Sequence, residues 1–321
     1  MTDLDRRDFL KASAAAIAAT GITTNASAES TAMTEPTPAP THAIQMPAFV
    51  DHSHLIVRDL PMISSWYQQI MGLKPVEKTA SGEVLGVDGH PLLTLTTEGD
   101  AAIAPRNAPG LFHTAFLMPD RTELGRWLAH IAHNNVPLQG ASDHLVSEAI
   151  YLGDPEGNGI EVYRDRPRAE WEYLQDGMVK MATLPLDLQA IYDEAPKDKW
   201  DGMADGTAIG HIHLQVSNIP EANSFFRDVL GLDLMATYPG ASFFSSGKYH
   251  HHIGANIWNS RGAPKRQANM TGLSDYTIRF NDPVKLQSAL AALEKLEIPV
   301  TRSGEGYSLV DPWGIGLKLE A

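Results

Sequence analysis

Thirteen histidines, thirty-nine acidic side chains and no cysteine mean that any metal on this 321-residue chain sits on imidazole or carboxylate. Thiolate nucleophiles, thiolate metal sites and disulfides are excluded. The residues placed for chemistry are His52 and His54 in Asp51-His52-Ser53-His54, His113 in Gly110-Leu111-Phe112-His113, and Glu161 closing Asp154-Pro155-Glu156-Gly157-Asn158-Gly159-Ile160-Glu161. Alternate side chains of a strand share a face, so His52 and His54 point the same way, and His113 and Glu161 each sit near the start of an alternating run. A carboxylate facing a cavity is costly unless it is paired or bound to a metal. The expected set is His52, His113 and Glu161, with His54 a cavity-lining or packing neighbour. Two neutral imidazoles and one carboxylate leave coordination positions open, the arrangement that lets Fe(II) take a bidentate substrate and dioxygen together; the same donors also bind Mn(II) and Zn(II).

The elements that must carry these residues recur. Asp51-His52-Ser53-His54-Leu55-Ile56-Val57 matches Gly210-His211-Ile212-His213-Leu214-Gln215-Val216, Gly110-Leu111-Phe112-His113 matches Gly272-Leu273-Ser274-Asp275, and the Asp154 block matches Asp311-Pro312-Trp313-Gly314-Ile315-Gly316-Leu317-Lys318. The nearly constant offset marks a duplication. Within each copy the pattern runs strand, helix, then three short strands, twice over. In the first copy this predicts a helix over 61–70, strands near 74–79, 83–88 and 91–97, a helix over 121–133, and strands near 136, over 145–152 and over 160–163. The predicted fold class is α+β, four βαβββ units in two tandem modules. If the two units of one copy pair into a half-open barrel, His52, His113 and Glu161 converge in the first copy. At the matched positions the second copy reads His211, Asp275 and Lys318, an ammonium where a ligand should stand, and is expected to be structural.

Residues 1–28 resemble a twin-arginine export signal: Arg6-Arg7-Asp8-Phe9-Leu10-Lys11, a mild apolar stretch, then Ala26-Ser27-Ala28. The stretch is too short and weakly apolar for a membrane span, so no integral anchor is expected after cleavage, and the mature protein is expected in the periplasm or secreted. Residues 29–46, rich in Pro, Thr and Ala, read as a flexible tether in which His42 is solvated. The first module is expected over 47–164, a connector over 165–206, and the second module over 207–321. A net charge of -14 argues against nucleic acid as a partner. No G-x-G-x-x-G, P-loop or G-x-S-x-G pattern is present. A homo-oligomer is left open.

The βαβββ repeat, the strand starts at His52 and His113, the block Asp143-His144-Leu145-Val146-Ser147-Glu148-Ala149-Ile150-Tyr151 running on to Glu161, and Tyr249-His250-His251-His252-Ile253-Gly254-Ala255-Asn256-Ile257-Trp258 together resemble the vicinal oxygen chelate superfamily. The likeness is greatest to its catechol 2,3-dioxygenase-like extradiol branch and covers about residues 47–320. It implies a non-haem Fe(II) enzyme acting on a small aromatic diol with dioxygen, His52, His113 and Glu161 as ligands, and His144 and Tyr151 as acid/base and substrate-bonding groups. Extradiol members also use a histidine on the fourth strand of a first unit. Here that strand is Pro91-Leu92-Leu93-Thr94-Leu95-Thr96-Thr97, with only His90 at its edge. Alternation sets His251 on the opposite face from His250 and His252, and helix-surface packing accounts for His130 and His133. The rival readings are a glyoxalase-like lyase or isomerase, which takes four protein ligands, and a metal-free small-molecule-binding member of the fold.

Overall fold

The computed structural model describes residues 41–196, 198 and 200–321; the expected signal segment and residues 29–40 of the expected tether lie outside them. The first unit holds β1 (Ala48–Ile56), the helix Leu60–Trp66 widening into a π turn at Tyr67–Met71, β2 (Lys74–Lys78), β3 (Gly82–Val87) and β4 (His90–Thr96). Asp59 starts the helix by accepting the Met62 N–H, and Gly72 ends it in the left-handed region at φ +70. The second unit holds β5 (Gly110–Met118), the helix Arg121–His133 capped by Asp120, β6 (Gly140–Asp143), β7 (Ser147–Gly153) and β8 (Gly159–Asp165). The third holds β9 (Ala208–Gln215), the helix Ile219–Asn223, β10 (Asp233–Tyr238), β11 (Ala241–Ser245) and β12 (Ile253–Asn256). The fourth holds β13 (Gly272–Phe280), the helix Pro283–Lys295, β14 (Thr301–Ser303), β15 (Gly306–Val310) and β16 (Gly316–Glu320).

The α+β class and the fourfold βαβββ order agree with the sequence reading. The strand expected near Val136 starts later, at Gly140. Asn135 turns left-handed at φ +53 and the Val136 N–H closes back onto Ile131, so the helix exit consumes those residues.

The pairing of units departs from expectation. Each first strand lies parallel to the fourth strand of its own unit, which leaves its other edge open. Those edges join across the copies: one sheet runs β14-β15-β16-β13-β1-β4-β3-β2 and the other β10-β11-β12-β9-β5-β8-β7-β6. The outer units thus pair with each other, and so do the inner units. Four first strands with the same alternation offer equivalent open edges, and the long connector lets β9 return antiparallel to β5. The boundaries expected at 47–164 and 207–321 therefore mark sequence repeats and not separate sheets.

One apolar core runs through both sheets, with Tyr67, Trp127, Phe226, Tyr276 and Trp313 among its largest fully buried members. A second, smaller cluster joins Ala115 and Leu117 of β5 and Tyr163 of β8 to Ala43, Met46, Trp171, Val179 and Tyr249. Two of its members, Ala43 and Met46, come from the segment expected to be free. That segment forms a short 3-10 turn at His42–Gln45 instead, and His42 bonds Arg168 rather than standing in solvent. The same guanidinium donates to the carbonyls of Gly247 and Lys248 at 2.8 and 3.1 Å, holding the N-terminal segment and the connector against the third unit.

Candidate metal centre

The joined edges of β5 and β9 set His113 opposite His213, and Ala115 opposite His211. His211 and His213 share a face of β9; Glu161, Tyr163 and Asp165 share a face of β8, which lies parallel to β5. Three ligand atoms meet there. His113 Nε2 is 3.0 Å and His211 Nε2 3.3 Å from Glu161 Oε2, and the two nitrogens are 3.3 Å apart. All three side chains are buried, at 6, 2 and 1 % exposure for His113, Glu161 and His211.

Burial lowers the His211 imidazole to about 4, so it is neutral at pH 7, the form that binds a metal. Burial alone would raise the Glu161 carboxyl, but His211 and then His113 outweigh it and hold the group well below the usual carboxylate range. Two imidazole nitrogens and a carboxylate oxygen within 3.3 Å of one another, with water excluded, fit a divalent cation of the His, His, carboxylate type.

His52, expected as a ligand, is absent from this group. It lies on β1 in the other sheet with Nε2 2.7 Å from Thr94 Oγ1. The third position is filled by His211, its counterpart in the duplication, because β9 and not β1 is the strand beside β5. The degenerate set is correspondingly His52, Asp275 and Lys318: Lys318 Nζ and His54 Nδ1 each lie 2.7 Å from Asp275, and His54 Nε2 is 2.7 Å from Thr96 Oγ1. His90 is in that outer sheet too, exposed, 3.2 Å from Asp51 Oδ1. His130 packs on the helix surface as expected, stacked on Trp200 with its Nε2 2.8 Å from the Gln69 carbonyl.

His144 and Tyr151 do flank the group. Tyr151 sits opposite Glu161 across the β7–β8 ladder, and its ring is 5.6 Å from that of His113. The His144 Nδ1–H donates to the Ala182 carbonyl at 2.6 Å, so a neutral His144 accepts through Nε2 from the Tyr151 hydroxyl at 2.7 Å. His144 is presented by a turn in which Leu145 takes φ +69, held by its N–H bond to Asp143 Oδ1. Loss of solvation, and next the Glu161 charge, push the Tyr151 phenol well above its ordinary value.

Several neighbours were not assigned to this site from the sequence. The run His250, His251, His252 leads into β12, the fourth strand of the third unit, and all three are buried; the His251 ring lies 4.0 Å from that of His211. A histidine run thus leads into the fourth strand of the unit that pairs here. Phe112, His213 and Trp258 form an aromatic wall with ring centroids 5.0–5.6 Å apart, and Trp258 is half exposed. Gly254 makes room for the His213 ring, which a Cβ there would approach to 2.8 Å. Ala182 and Asp165 come from the connector and its border.

A family model for the Glyoxalase/Bleomycin resistance protein/Dioxygenase superfamily matches residues 49–162 and again 208–319. The chain belongs to this superfamily. A curated relative, catechol-2,3-dioxygenase of Bacillus subtilis (strain 168), is 37% identical over 267 residues, covering 82% of this chain and 93% of its own. Among solved structures, a candidate dioxygenase from Bacillus subtilis aligns with TM-score 0.60 at 13% identity, covering 84% of both chains. Glyoxalase I from Zea mays aligns with TM-score 0.53 at 15% identity, covering 86% of this chain and 93% of that one. At those identities the two structures speak for the superfamily fold alone. A model of the twin-arginine translocation signal matches residues 3–23.

Proposed function

We propose that this superfamily member is an extradiol dioxygenase that opens a catecholic ring with dioxygen, using Fe(II) held by His113, Glu161 and His211. The observation that carries the reading is the buried convergence of those three side chains in a chain 37% identical to a catechol-2,3-dioxygenase over most of its length. Iron(II) on such a set supplies adjacent open positions for two vicinal oxygens and dioxygen, and Mn(II) suits the same donors.

The chain's own groups have separable tasks. Phe112, His213 and Trp258 receive the flat face of the ring, and the deep burial of the three ligands keeps bulk water out. His251, its ring packed at a tilt against that of His211, takes the proton of a substrate hydroxyl. Tyr151, whose hydroxyl proton is given to His144, accepts through its oxygen from the remaining hydroxyl of the substrate. Among the described residues the ligand group holds three side chains, whereas lyase-type members draw on four, which favours the dioxygenase reading. The twin-arginine signal match supports action outside the cytoplasm, and no helix among the described residues is long and apolar enough to cross a membrane.

The test is anaerobic loading with Fe(II), then oxygen uptake with catechols and mass spectrometry under labelled dioxygen. Stoichiometric uptake and a ring-opened product carrying both labelled oxygens are expected. Bound iron with no uptake across a panel of catechols, together with turnover of a hemithioacetal by the nickel or zinc form, would move the chain to the lyase class.

A further inference from the structure

A chain of hydrogen bonds leads away from the metal centre on the His251 side. Nδ1 of His251 is 2.8 Å from Nδ1 of His250, and Nε2 of His250 is 2.9 Å from Asp165 Oδ1. The same oxygen receives the Tyr249 hydroxyl at 3.1 Å, and the Tyr249 and Tyr163 hydroxyls are 2.9 Å apart. His250 is fully buried and His251 nearly so, at 6 % exposure, while Asp165 Oδ2 is buried without a hydrogen-bond partner among the described residues. Asp165 lies on β8 four residues beyond Glu161, on the same face, so the strand that supplies a ligand also anchors this chain.

With His250 in its neutral form, the contacts assign the protons. A carboxylate only accepts, so the contact with Asp165 requires the proton of His250 on Nε2. A neutral His250 then has a bare Nδ1, which can only accept. The nitrogen-to-nitrogen contact of 2.8 Å needs one proton, and it must come from His251 Nδ1. We infer that Asp165 and His250 are positioning residues that lock His251 in its Nδ1–H tautomer and leave its Nε2 as a bare proton acceptor beside the metal centre. The consequence for turnover rests on the dioxygenase reading above: the proton leaves a substrate hydroxyl for His251 Nε2, the electron pair stays on the substrate oxygen, and the resulting imidazolium keeps its Nδ1–H bond to His250, which Asp165 steadies. No further reactant is needed.

The test is nitrogen-15 NMR of histidine-labelled protein loaded with zinc, a diamagnetic stand-in, with signals assigned by His250→Gln and His251→Gln. His251 is expected with Nδ1 protonated and Nε2 bare, and His250 with Nε2 protonated. In His250→Phe, His251 is expected to revert to the Nε2–H form that an unrestrained imidazole favours, with zinc content unchanged. With Fe(II) the same variant should lose roughly 100-fold in kcat at nearly constant KM, the scale of one acid/base group. Asp165→Asn, whose amide oxygen still accepts, should keep the tautomer and lose less than Asp165→Leu. A wild-type His251 protonated on Nε2, or a His250 protonated on both nitrogens, overturns the inference even if catechols are cleaved. The stated tautomers in a protein that cleaves no catechol support the lock and overturn only the dioxygenase reading.

Discussion

Replacing His211 and His52 by Ala, one at a time, discriminates between the two ways the repeats could pair. His211 Nε2 lies 3.3 Å from both His113 Nε2 and Glu161 Oε2, whereas His52 Nε2 contacts Thr94 Oγ1. Disturbing a group that only supports a ligand costs about 10–100-fold in metal affinity, so deleting one of three ligands should cost at least about 100-fold. After anaerobic loading and desalting, His211→Ala should hold less than roughly a tenth of an iron equivalent, as should His113→Ala, and His52→Ala should hold about one. The metal-free proteins separate as well. His211→Ala strips the buried Glu161 of one of its two imidazole partners, and a hydrogen bond to a charged group is worth about 1.5–3 kcal/mol, whereas His52→Ala loses a neutral bond worth about 1 kcal/mol. Elemental analysis reads the first difference and urea unfolding of the apo forms the second. If His52→Ala empties the site and His211→Ala retains iron at wild-type stoichiometry, the inner-unit centre is wrong.

Trp258→Ala removes the exposed panel of the aromatic wall; KM for a catechol should rise up to about tenfold with kcat little changed, since a ring pair contributes about 0.5–1.5 kcal/mol. Gly210→Ala would put a Cβ onto the Tyr163 hydroxyl and break its bond to Tyr249, and thermal unfolding should register about 1–3 kcal/mol of overpacking; an unchanged melting temperature would show that the β8–β9 face is looser than the geometry says. Asp311, fully buried, has its carboxyl pushed up to about 7 by loss of solvation despite N–H bonds from Trp313 and Ile315. Its folded value lies above the unfolded 3.8, so the folded state keeps a proton that the unfolded chain gives up. The contribution of this group is most favourable below about pH 4 and is lost as pH rises to 7, on the order of 4 kcal/mol. Asp311→Asn should therefore gain stability over wild type at pH 8 and not at pH 4, and an equal effect at both pH values counts against the assignment. Lys318→Glu removes the ammonium 2.7 Å from Asp275 and restores a carboxylate at the position matching Glu161; zinc titration should then show a second binding event, and a single event would mean that His52 and Asp275 are not poised to ligate.

The four βαβββ units, the helix Arg121–His133, the Glu161 turn and two of the three converging side chains were legible because each rests on local signals: period, caps, turn residues and strand starts. The third side chain was not, because His52 and His211 occupy the same place in the same local pattern. Only long-range pairing tells them apart, and β1 beside β13 looks, residue by residue, like β9 beside β5. The absence of a fourth-strand histidine from Pro91 to Thr97 was a consequence of the same mistaken pairing. Once β12 is the fourth strand facing the ligands, His251 stands where that histidine was missing. Asp165 gave no sequence signal, since an acidic residue at a strand end reads as a solvated turn.

The two sheets place different partners around a mostly buried carboxylate. A mostly buried carboxylate demands a cation or several hydrogen bonds, and in the inner sheet Glu161 meets the His113 and His211 imidazoles, an arrangement that suits an added cation. In the outer sheet Asp275 meets the same demand from within the chain. Burial would raise its carboxyl, but His54 and Lys318 hold it at about 2. The outer sheet carries its counter-charge within the chain, and in the inner sheet a cation held by the three side chains would supply it. Because each sheet draws one unit from each copy, the division of labour is not first copy against second copy. The inner units meet at the candidate centre, and the outer units carry the Lys318–Asp275 ion pair at the matching place.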